Sequence, residues 1–203
     1  FSYTTAFMGL NRLGTDAGGS LLVPAALANK LYLFRHGQLA GGQATIPATS
    51  ASQIFAPVAA GYFGAAAALV DTDGDGLLDL IAGDGGQGRA YSLSRKTDGS
   101  FDAAGLAASW RNDVNGFSNF LAAGDLSGDS RPDLVVGDST SGTGYSWVFW
   151  SSPTGMTDPS VKSILQGPGG FGTNLIVSDV NGDSKLDMVV GDQNGNGTIQ
   201  IRY

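Results

Sequence analysis

Short apolar runs alternate with polar, glycine-rich turns along the chain. Between residues 63 and 95, an apolar run ending in ALV leads into the acidic DTDGDGLL, a second apolar run, a polar turn and the alternating segment YSLSR. Runs of roughly four to eight residues bounded by Gly, Asp and Ser are typical of β-strands. The pattern therefore predicts several short strands joined by tight turns.

The acidic stretch recurs at a constant spacing. DTDGDGLLDLIAGD begins at Asp71, DLSGDSRPDLVVGD at Asp125 and DVNGDSKLDMVVGD at Asp179, 54 residues apart both times. Each copy also has an aromatic residue ahead of the loop and a glycine that closes the second apolar run: Phe63, Phe117 and Phe171, then Gly83, Gly137 and Gly191. A repeat of this length indicates one supersecondary unit used several times.

A fourth, degraded copy precedes these three. SLLVP (20–24) matches the second apolar run and YLFRH (32–36) matches the alternating segment. Arg12, Gly14 and Ser20 stand at three of its four acidic positions. This copy keeps the strand pattern and lacks the acidic residues, which indicates that the repeat primarily serves the fold.

Each unit is predicted to contain four short strands, the fourth being the weaker segments QATIP, LAASW and VKSILQ. Four short strands in a unit of about 40–55 residues are typical of a β-propeller blade. We therefore predict an all-β fold: a β-propeller with four blade-like repeats in a single domain, 1–203. The repeat units are 1–50 (degenerate), 51–105, 106–160 and 161–203.

Two ring arrangements remain open. The four repeats could form a closed four-bladed ring, or half of a larger ring completed by a second chain. The last unit reaches Tyr203 just after its third strand, and the N-terminal FSYTT could supply the missing outer strand. The sequence does not choose between these arrangements.

Composition and charge narrow the classes of function. The chain has 18 aspartates, no glutamate and a net charge of −7, without a Lys/Arg cluster. Binding to nucleic acid or to anionic membranes requires basic patches, so neither is expected. The absence of cysteine excludes disulfides and thiolate chemistry. No apolar run approaches the ~18 residues of a membrane-spanning helix, so we expect no membrane insertion.

The acidic loops offer oxygen donors at a fixed spacing, at loop positions 1, 3, 5 and 9, with a backbone carbonyl at position 7. Several carboxylates without histidine or sulfur favour Ca²⁺, and a glycine between positions 3 and 5 allows the chain to bend around an ion. The predicted ligands are Asp71, Asp73, Asp75, Leu77 and Asp79; Asp125, Ser127, Asp129, Arg131 and Asp133; and Asp179, Asn181, Asp183, Lys185 and Asp187. We predict about three Ca²⁺ ions per chain, which would nearly neutralise it. The alternative to calcium binding is that the three loops are Asp-Gly turns. An EF-hand loop does not fit, because its ligand position 12 is apolar here.

These features resemble a known family. Phe63-Gly64 or Phe171-Gly172, a small apolar strand, the acidic loop and an aromatic strand are similar to the FG-GAP repeats of integrin α-subunit propellers and related bacterial and fungal proteins. Phe117-Ser118 departs from the Phe-Gly element. The resemblance implies calcium between the first two strands of a blade, on one rim, and ligand binding more often on the opposite rim.

The opposite rim contains the candidate ligand residues. Each second apolar run ends in an aspartate, and the segment SWRNDVNGF combines an aromatic ring with polar groups, as sugar sites often do. The candidates are Asp84, Trp110, Asn112, Asp113, Asp138 and Asp192. The alternatives are that the aspartates accept hydrogen bonds from their own turns and that Trp110 packs between blades.

No catalytic motif is found, and the single histidine, His36, lies in a turn of the degraded copy. We therefore expect no enzyme activity. The predicted function is an extracellular calcium-binding module for adhesion or ligand binding, with lectin-like sugar binding as one form. Its partner would be a glycan or a cell-surface or extracellular protein, with a homo-oligomer if a second chain completes the ring. The expected location is secreted, cell-surface or periplasmic. The alternatives are a fragment of a secreted polysaccharide-active enzyme, accessory or catalytic, and an assembly module without a small ligand.

Overall fold

The computed structural model describes residues 8–10, 19–39, 45–57, 61–102, 108–111, 116–138, 143–156, 162–192, 197 and 199–202. Within these ranges the chain forms four antiparallel sheets, each built from strands that follow one another in the sequence. Strands account for 54% of the structure and helices for 7%. The all-β prediction is confirmed.

The strands run in chain order across each sheet. The first sheet contains β1 (Met8–Leu10), β2 (Ser20–Ala25), β3 (Lys30–Phe34) and β4 (Gln53–Phe55). The second contains β5 (Phe63–Val70), β6 (Asp79–Asp84), β7 (Arg89–Leu93) and β8 (Ala108–Arg111). The third contains β9 (Phe117–Gly124), β10 (Asp133–Asp138), β11 (Thr143–Phe149) and β12 (Lys162–Pro168). The fourth contains β13 (Phe171–Ser178), β14 (Asp187–Asp192) and β15 (Ile199–Arg202).

The helices of the described residues are short. They are the helix α1 (His36–Leu39) and two 3₁₀ turns, Ala26–Ala28 and Ala48–Ser50. His36 begins α1 instead of lying in the predicted turn, and it is exposed, as a lone surface histidine would be. Among the described residues, none of these helices has the length and apolar character needed to span a membrane.

A separate apolar cluster fills each space between consecutive sheets. The first includes Leu22 and Leu33 of the first sheet with Leu80 and Tyr91 of the second. The second cluster joins Ile81 and Trp110 of the second sheet to Leu134, Val136 and Trp147 of the third. The third joins Val135 and Val148 of the third sheet to Met188 and Val190 of the fourth. The sheets therefore stack face to face in chain order, as propeller blades do, although no closed ring is detected in the described part of the chain.

Each of β5, β9 and β13 begins with a buried phenylalanine followed by a left-handed residue. The left-handed residues are Gly64 (φ +83°), Ser118 (φ +65°) and Gly172 (φ +88°). In β5 the register shifts between Phe63 and Ala67, which marks a bulge next to this position. Glycine adopts a positive φ without a Cβ clash, so the Phe-Gly element is a backbone requirement of the strand start.

Ser118 adopts the same conformation, and its side chain forms hydrogen bonds with the preceding sheet. Its hydroxyl donates to the carbonyl of Arg89 and accepts the backbone N–H of Asp84 at 3.1 Å. Both partners belong to the preceding sheet, so the serine ties β9 to β6 and β7. These bonds offset the cost of a non-glycine residue with positive φ, about 1 kcal/mol or more, and explain the departure from the Phe-Gly element.

Two of the three predicted fourth strands overlap strands of the structure, and one does not. LAASW overlaps β8 and VKSILQ overlaps β12, but QATIP is wrong as the outer strand of the first sheet, because β4 is Gln53–Phe55. Phe55 is fully buried and packs edge-on against Phe101 with ring centroids 6.3 Å apart, which draws this segment onto the sheet. The outer strands of the first three sheets thus lie just beyond the repeat boundaries at residues 50, 105 and 160. FSYTT lies outside the described residues, and the single domain stays a prediction.

Candidate metal centre

Three acidic loops connect the first two strands of the second, third and fourth sheets. We call them loop 1 (71–79), loop 2 (125–133) and loop 3 (179–187); each starts directly after β5, β9 or β13 and ends on the first residue of the following strand. All of their predicted ligand residues are described. Because the loops join equivalent strands, they lie at the same end of their sheets.

The aspartate at position 1 organises each loop by accepting backbone N–H groups from within it. Asp71 accepts Gly74 at 2.7 Å and Gly76 at 2.9 Å. Asp125 accepts Gly128 and Ser130, both at 2.7 Å. Asp179 accepts Gly182 at 2.6 Å and Ser184 at 2.9 Å. These bonds lower the pKa of Asp179 and keep it ionised, the form that a cation requires.

The predicted glycine between positions 3 and 5 is confirmed as a left-handed residue. Gly74, Gly128 and Gly182 have φ of +80°, +78° and +82°. Position 6 is also left-handed, with Gly76 at +84°, Ser130 at +70° and Ser184 at +69°. Sequence reasoning missed the requirement at position 6, because serine there carries no conformational signal, although the glycine of loop 1 does.

Positions 3 and 5 form hydrogen-bonded turns two residues long. In loop 1, Asp73 accepts the N–H of Asp75 at 3.1 Å, and Asp75 accepts that of Leu77 at 2.7 Å. In loop 3, Asn181 accepts Asp183 and Asp183 accepts Lys185, both at 2.8 Å. In loop 2, Asp129 accepts the N–H of Arg131 at 2.9 Å and forms an ion pair with its guanidinium at 3.1 Å, and both lower the pKa of Asp129. Ser127 donates to Asp125 at 3.4 Å.

The aspartate at position 9 is fully buried and ties the loop to its sheet. Asp79 accepts the backbone N–H and the hydroxyl of Thr72 on Oδ2, and the N–H of Arg95 on Oδ1 at 2.8 Å. Asp133 accepts Leu126 and Ser127 on Oδ2, and both the N–H and the hydroxyl of Ser151 on Oδ1. Asp187 accepts Val180 on Oδ2, while its Oδ1 is buried without a hydrogen-bond partner.

Three carboxylates converge in loop 1. Asp71, Asp73 and Asp79 each place an oxygen within 4.8 Å of the others. The pKa of Asp73 is raised, first by burial and then by the carboxylates of Asp79, Asp75 and Asp71 around it. Asp75 lies outside the converging group. The group is therefore an electrostatically unfavourable arrangement that a cation would relieve.

The residues present fit a hard divalent cation. An ionised carboxylate has about four lone-pair sites, so oxygens that already accept one hydrogen bond retain coordinating capacity. Asp71, Asp73 and Asp79 would hold the ion in loop 1. Loops 2 and 3 have Ser127 or Asn181 at position 3, and the unpaired buried Oδ1 of Asp187 offers an additional donor in loop 3.

Loop 1 also touches the third sheet through the segment 152–156, which follows β11. The N–H of Met156 donates to the carbonyl of Thr72 at 3.0 Å. A Cβ placed on Gly155 would lie 2.4 Å from that carbonyl oxygen, and one on Gly74 would lie 2.8 Å from Thr154. The corresponding positions of loops 2 and 3, Gly128 and Gly182, have open space around them.

The residues predicted to bind a ligand on the opposite rim are buried where they are described. Asp84, Asp138 and Asp192 are 0%, 1% and 6% exposed, and Trp110 is 3% exposed. Asp84 accepts the N–H groups of Tyr62 at 2.7 Å and of Gln87 in its own turn at 3.2 Å. Trp110 packs against Phe149 of the third sheet, with ring centroids 6.0 Å apart. The burial favours the alternatives of turn formation and packing between sheets; Asn112 and Asp113 lie outside the described residues.

Stacked antiparallel sheets, three of which carry an acidic oxygen-donor loop after their first strand, define a class of repeat β-protein. The family model of the FG-GAP-like repeat matches this chain twice, over residues 71–136 and 125–190. The chain therefore belongs to the FG-GAP-like repeat family, and the predicted resemblance is confirmed.

Curated relatives include integrin alpha subunits. The chain is 33% identical to integrin alpha-8 of Homo sapiens over 99 residues, which is 49% of this chain and 9% of that protein. It is 34% identical to integrin alpha-8 of Mus musculus over 84 residues, 41% of this chain and 8% of that protein. It is 25% identical to integrin alpha-PS5 of Drosophila melanogaster over 147 residues, 64% of this chain and 15% of that protein. The chain thus spans less than a sixth of each of these relatives.

Proposed function

We propose that this chain is a calcium-binding FG-GAP module that acts outside the cell, at a secreted, cell-surface or periplasmic location, by binding another macromolecule. The observation that carries the proposal is the convergence of Asp71, Asp73 and Asp79 within 4.8 Å in a loop whose backbone is preorganised by its own carboxylates. The same loop architecture occurs three times. This favours a metal role over isolated Asp-Gly turns.

Calcium is the ion that the donors and the compartment favour. Every side-chain donor in the three loops is a carboxylate, hydroxyl or amide oxygen, and Ca²⁺ accepts such flexible oxygen sets more readily than Mg²⁺, which demands octahedral geometry. About three ions per chain would offset most of the net charge of −7. Loops of this kind bind in the concentration range of extracellular calcium.

Chelation tests the calcium proposal directly. We expect EDTA to lower the melting temperature and added Ca²⁺, but not equimolar Mg²⁺, to restore it. Each site contributes about 2.7 kcal/mol when free calcium is a hundredfold above its dissociation constant. Isothermal titration should give about three ions for the native chain. The Asp73→Asn variant of loop 1 should lose one ion from that stoichiometry, whereas the exposed Lys96→Gln control should not. A melting curve indifferent to EDTA would exclude the proposal.

We propose an extracellular or cell-surface protein as the binding partner, in preference to a glycan. Adhesion is one role that the family resemblance implies, whereas the described residues offered for sugar binding, including Trp110, are buried. Immobilised extracellular-matrix and cell-surface proteins should therefore retain the chain in a calcium-dependent manner, and a glycan array should not. Calcium-dependent glycan binding that survives Trp110→Phe would instead establish the lectin alternative at another surface.

We further propose that the chain has no catalytic activity of its own. Ten of its 18 aspartates lie in the three loops, which leaves few carboxylates for the paired acid and base of glycoside hydrolysis. Incubation with a panel of polysaccharides should release no reducing sugar. Product release that disappears when a loop aspartate is replaced would overturn this and support the enzyme alternative.

A further inference from the structure

A short segment of the third sheet, residues 151–156, connects loop 1 to loop 2. It lies just beyond the end of β11. Its first residue is hydrogen-bonded to the last residue of loop 2, and its last residue is hydrogen-bonded to loop 1. We call it the linking segment. It reaches from one candidate metal site to the next through protein groups alone.

Loop 2 holds the start of the linking segment through its buried aspartate. Oδ1 of Asp133 accepts the N–H of Ser151 at 2.9 Å and its hydroxyl at 3.1 Å. Oδ2 of the same carboxylate accepts the N–H groups of Leu126 and Ser127, both at 3.0 Å. One carboxylate thus fixes loop 2 with one oxygen and the linking segment with the other. Asp133 is also a predicted ligand of loop 2, so the ion and the linking segment share it.

Thr72, at position 2 of loop 1, holds the other end. Its N–H donates to Oδ2 of Asp79 at 2.9 Å, its hydroxyl donates to the same oxygen, and that hydroxyl lies 2.9 Å from the hydroxyl of Ser92. The carbonyl of Thr72 accepts the N–H of Met156 at 3.0 Å. Thr72 therefore joins a predicted ligand of loop 1 to the linking segment.

The linking segment has one compact arrangement against loop 1. The N–H of Gly155 donates to the carbonyl of Ser152 at 2.9 Å, and the hydroxyl of Ser152 donates to the carbonyl of Gly155 at 2.6 Å, which closes a turn. A Cβ on Gly155 would lie 2.4 Å from the carbonyl oxygen of Thr72. Met156 is 7% exposed and packs in the cluster between the second and third sheets. The segment is therefore seated on the loop and in the core together.

Ordering the linking segment costs conformational entropy, and this cost arises only once for the two loops. An ion in loop 1 would fix Asp79 and, through it, the carbonyl of Thr72. An ion in loop 2 would fix Asp133 and, through it, the start of the segment at Ser151. Whichever ion binds first favours the ordered segment, so the second ion meets a loop whose contacts are already in place. The effect is equal in both directions, because coupling between two binding equilibria is reciprocal.

We propose that loops 1 and 2 bind calcium with positive cooperativity through the linking segment, and that Thr72 is the positioning residue that connects loop 1 to it. The inference rests on the proposed calcium function and adds a coupling between two of its sites. It assigns a role to residues that hold no ion themselves.

Calcium titration of a chain with two working loops measures the coupling. Asp183→Asn removes the ion of loop 3, and adding Asp73→Asn leaves loop 2 alone. We expect loop 2 to bind its ion about five- to tenfold more weakly when loop 1 cannot be occupied, at the lower end of the range for coupled sites. Equal affinity of loop 2 in both chains would overturn the inference and leave the proposed function standing. A native chain that binds no calcium would overturn both.

Gly155→Ala breaks the connection without changing a predicted ligand. Its methyl group would meet the carbonyl oxygen of Thr72, so the difference in the affinity of loop 2 should disappear. Gly197→Ala is the matched control. Gly155 and Gly197 have φ of +83° and +70°, but nothing lies within 4 Å of the Cβ position of Gly197, so the difference should remain there. Circular dichroism checks that each variant is folded. Coupling that persists unchanged in Gly155→Ala contradicts transmission through the linking segment.

Hydrogen exchange at the amide of Met156 gives a readout that a segment unconnected to the ions would not show. Because this N–H donates to the carbonyl of Thr72, calcium should slow its exchange about five- to tenfold in the native chain, by the same coupling. Thr72→Val keeps the backbone groups and removes the hydroxyl that donates to Asp79, so calcium should slow the exchange less. An exchange rate of Met156 that is the same with and without bound calcium would refute the coupling.

Discussion

At Gly83 and Gly137 the absence of a side chain determines how closely two sheets pack. Carbonyl oxygens of the next sheet lie 2.0 and 2.1 Å from where a Cβ would be, and these oxygens belong to the left-handed residues Ser118 and Gly172. Gly83 and Gly137 therefore make the same contact: each receives the carbonyl oxygen of the residue after the first phenylalanine of the next sheet.

Gly83→Ala should destabilise the chain by about 1–3 kcal/mol, because the added methyl group must displace the backbone of Ser118. Urea unfolding followed by fluorescence measures the change. Gly37→Ala is the control, since nothing lies within 4 Å of its Cβ position, and it should be neutral or slightly stabilising in the short helix. Equal stability of the Gly83→Ala and native chains would contradict the close packing of the sheets.

Asp84 illustrates how burial changes an acidic residue. Its side chain is 0% exposed, and its Oδ2 has no hydrogen-bond partner. Burial raises the pKa of the Asp84 carboxyl above its ordinary value, against the opposing effect of the backbone N–H groups of Tyr62 and Gln87. The ionised form is therefore less favourable in the folded chain than in the unfolded chain.

Asp84→Asn should gain stability relative to the native chain as the pH rises. Below the unfolded pKa both Asp84 and its replacement are neutral, so the difference is small. As the pH rises from the unfolded pKa through the raised folded pKa, the native chain loses the stability that depends on a protonated Asp84. Urea unfolding of both proteins between acidic and neutral pH measures this difference. A difference that shrinks with rising pH would show that Asp84 is stabilised as a carboxylate.

Each acidic loop is tied to its sheet by the aspartate at position 9. Asp133 accepts hydrogen bonds from the start of loop 2 on one oxygen and from Ser151, after β11, on the other. One buried side chain thus connects the loop, the second strand and the end of the third strand. These hydrogen bonds join protein groups only, so they should stabilise the loop in addition to any bound ion.

Asp133→Asn should destabilise the third sheet even with EDTA present. The NH₂ group of the new asparagine would face backbone N–H donors on one side, and two donors cannot hydrogen-bond to each other. The expected cost is about 1–3 kcal/mol for a buried donor left unpaired. Asp129→Asn, exposed in the same loop, should change stability much less under the same conditions. Thermal unfolding in EDTA distinguishes them, and equal melting temperatures for the two variants would refute a structural role for Asp133.

For the molecule as a whole, ion binding should couple stability to calcium concentration. If the folded chain binds about three ions, the melting temperature should rise with free Ca²⁺, because an ion that binds only the folded state stabilises it by mass action. Scanning fluorimetry across a calcium series measures this slope. Asp73→Asn should reduce the slope, whereas Lys96→Gln should preserve it. A melting temperature independent of calcium argues against ion binding.

The repeat made much of the architecture predictable. The strands around Asp71, Asp125 and Asp179 were located from their spacing, because the acidic loop, the apolar run and the closing glycine recur together. β4 was missed because its pairing depends on Phe55 meeting Phe101, a contact between distant segments. For Trp110 and Asp84 the sequence leaves two interpretations open, ligand binding on the rim or burial. A residue type does not reveal whether the neighbouring sheet covers it.

The sequence by itself determined the repeat, the strand order within each sheet and the oxygen-donor loops, because these depend on local periodicity and on residues close in the chain. Only the tertiary structure decided which loop oxygens converge, why Ser118 can replace a glycine, and which side chains a neighbouring sheet buries. Those features arise from contacts between segments far apart in the chain. The same isoleucine or glycine is buried or exposed according to whether another sheet packs against it.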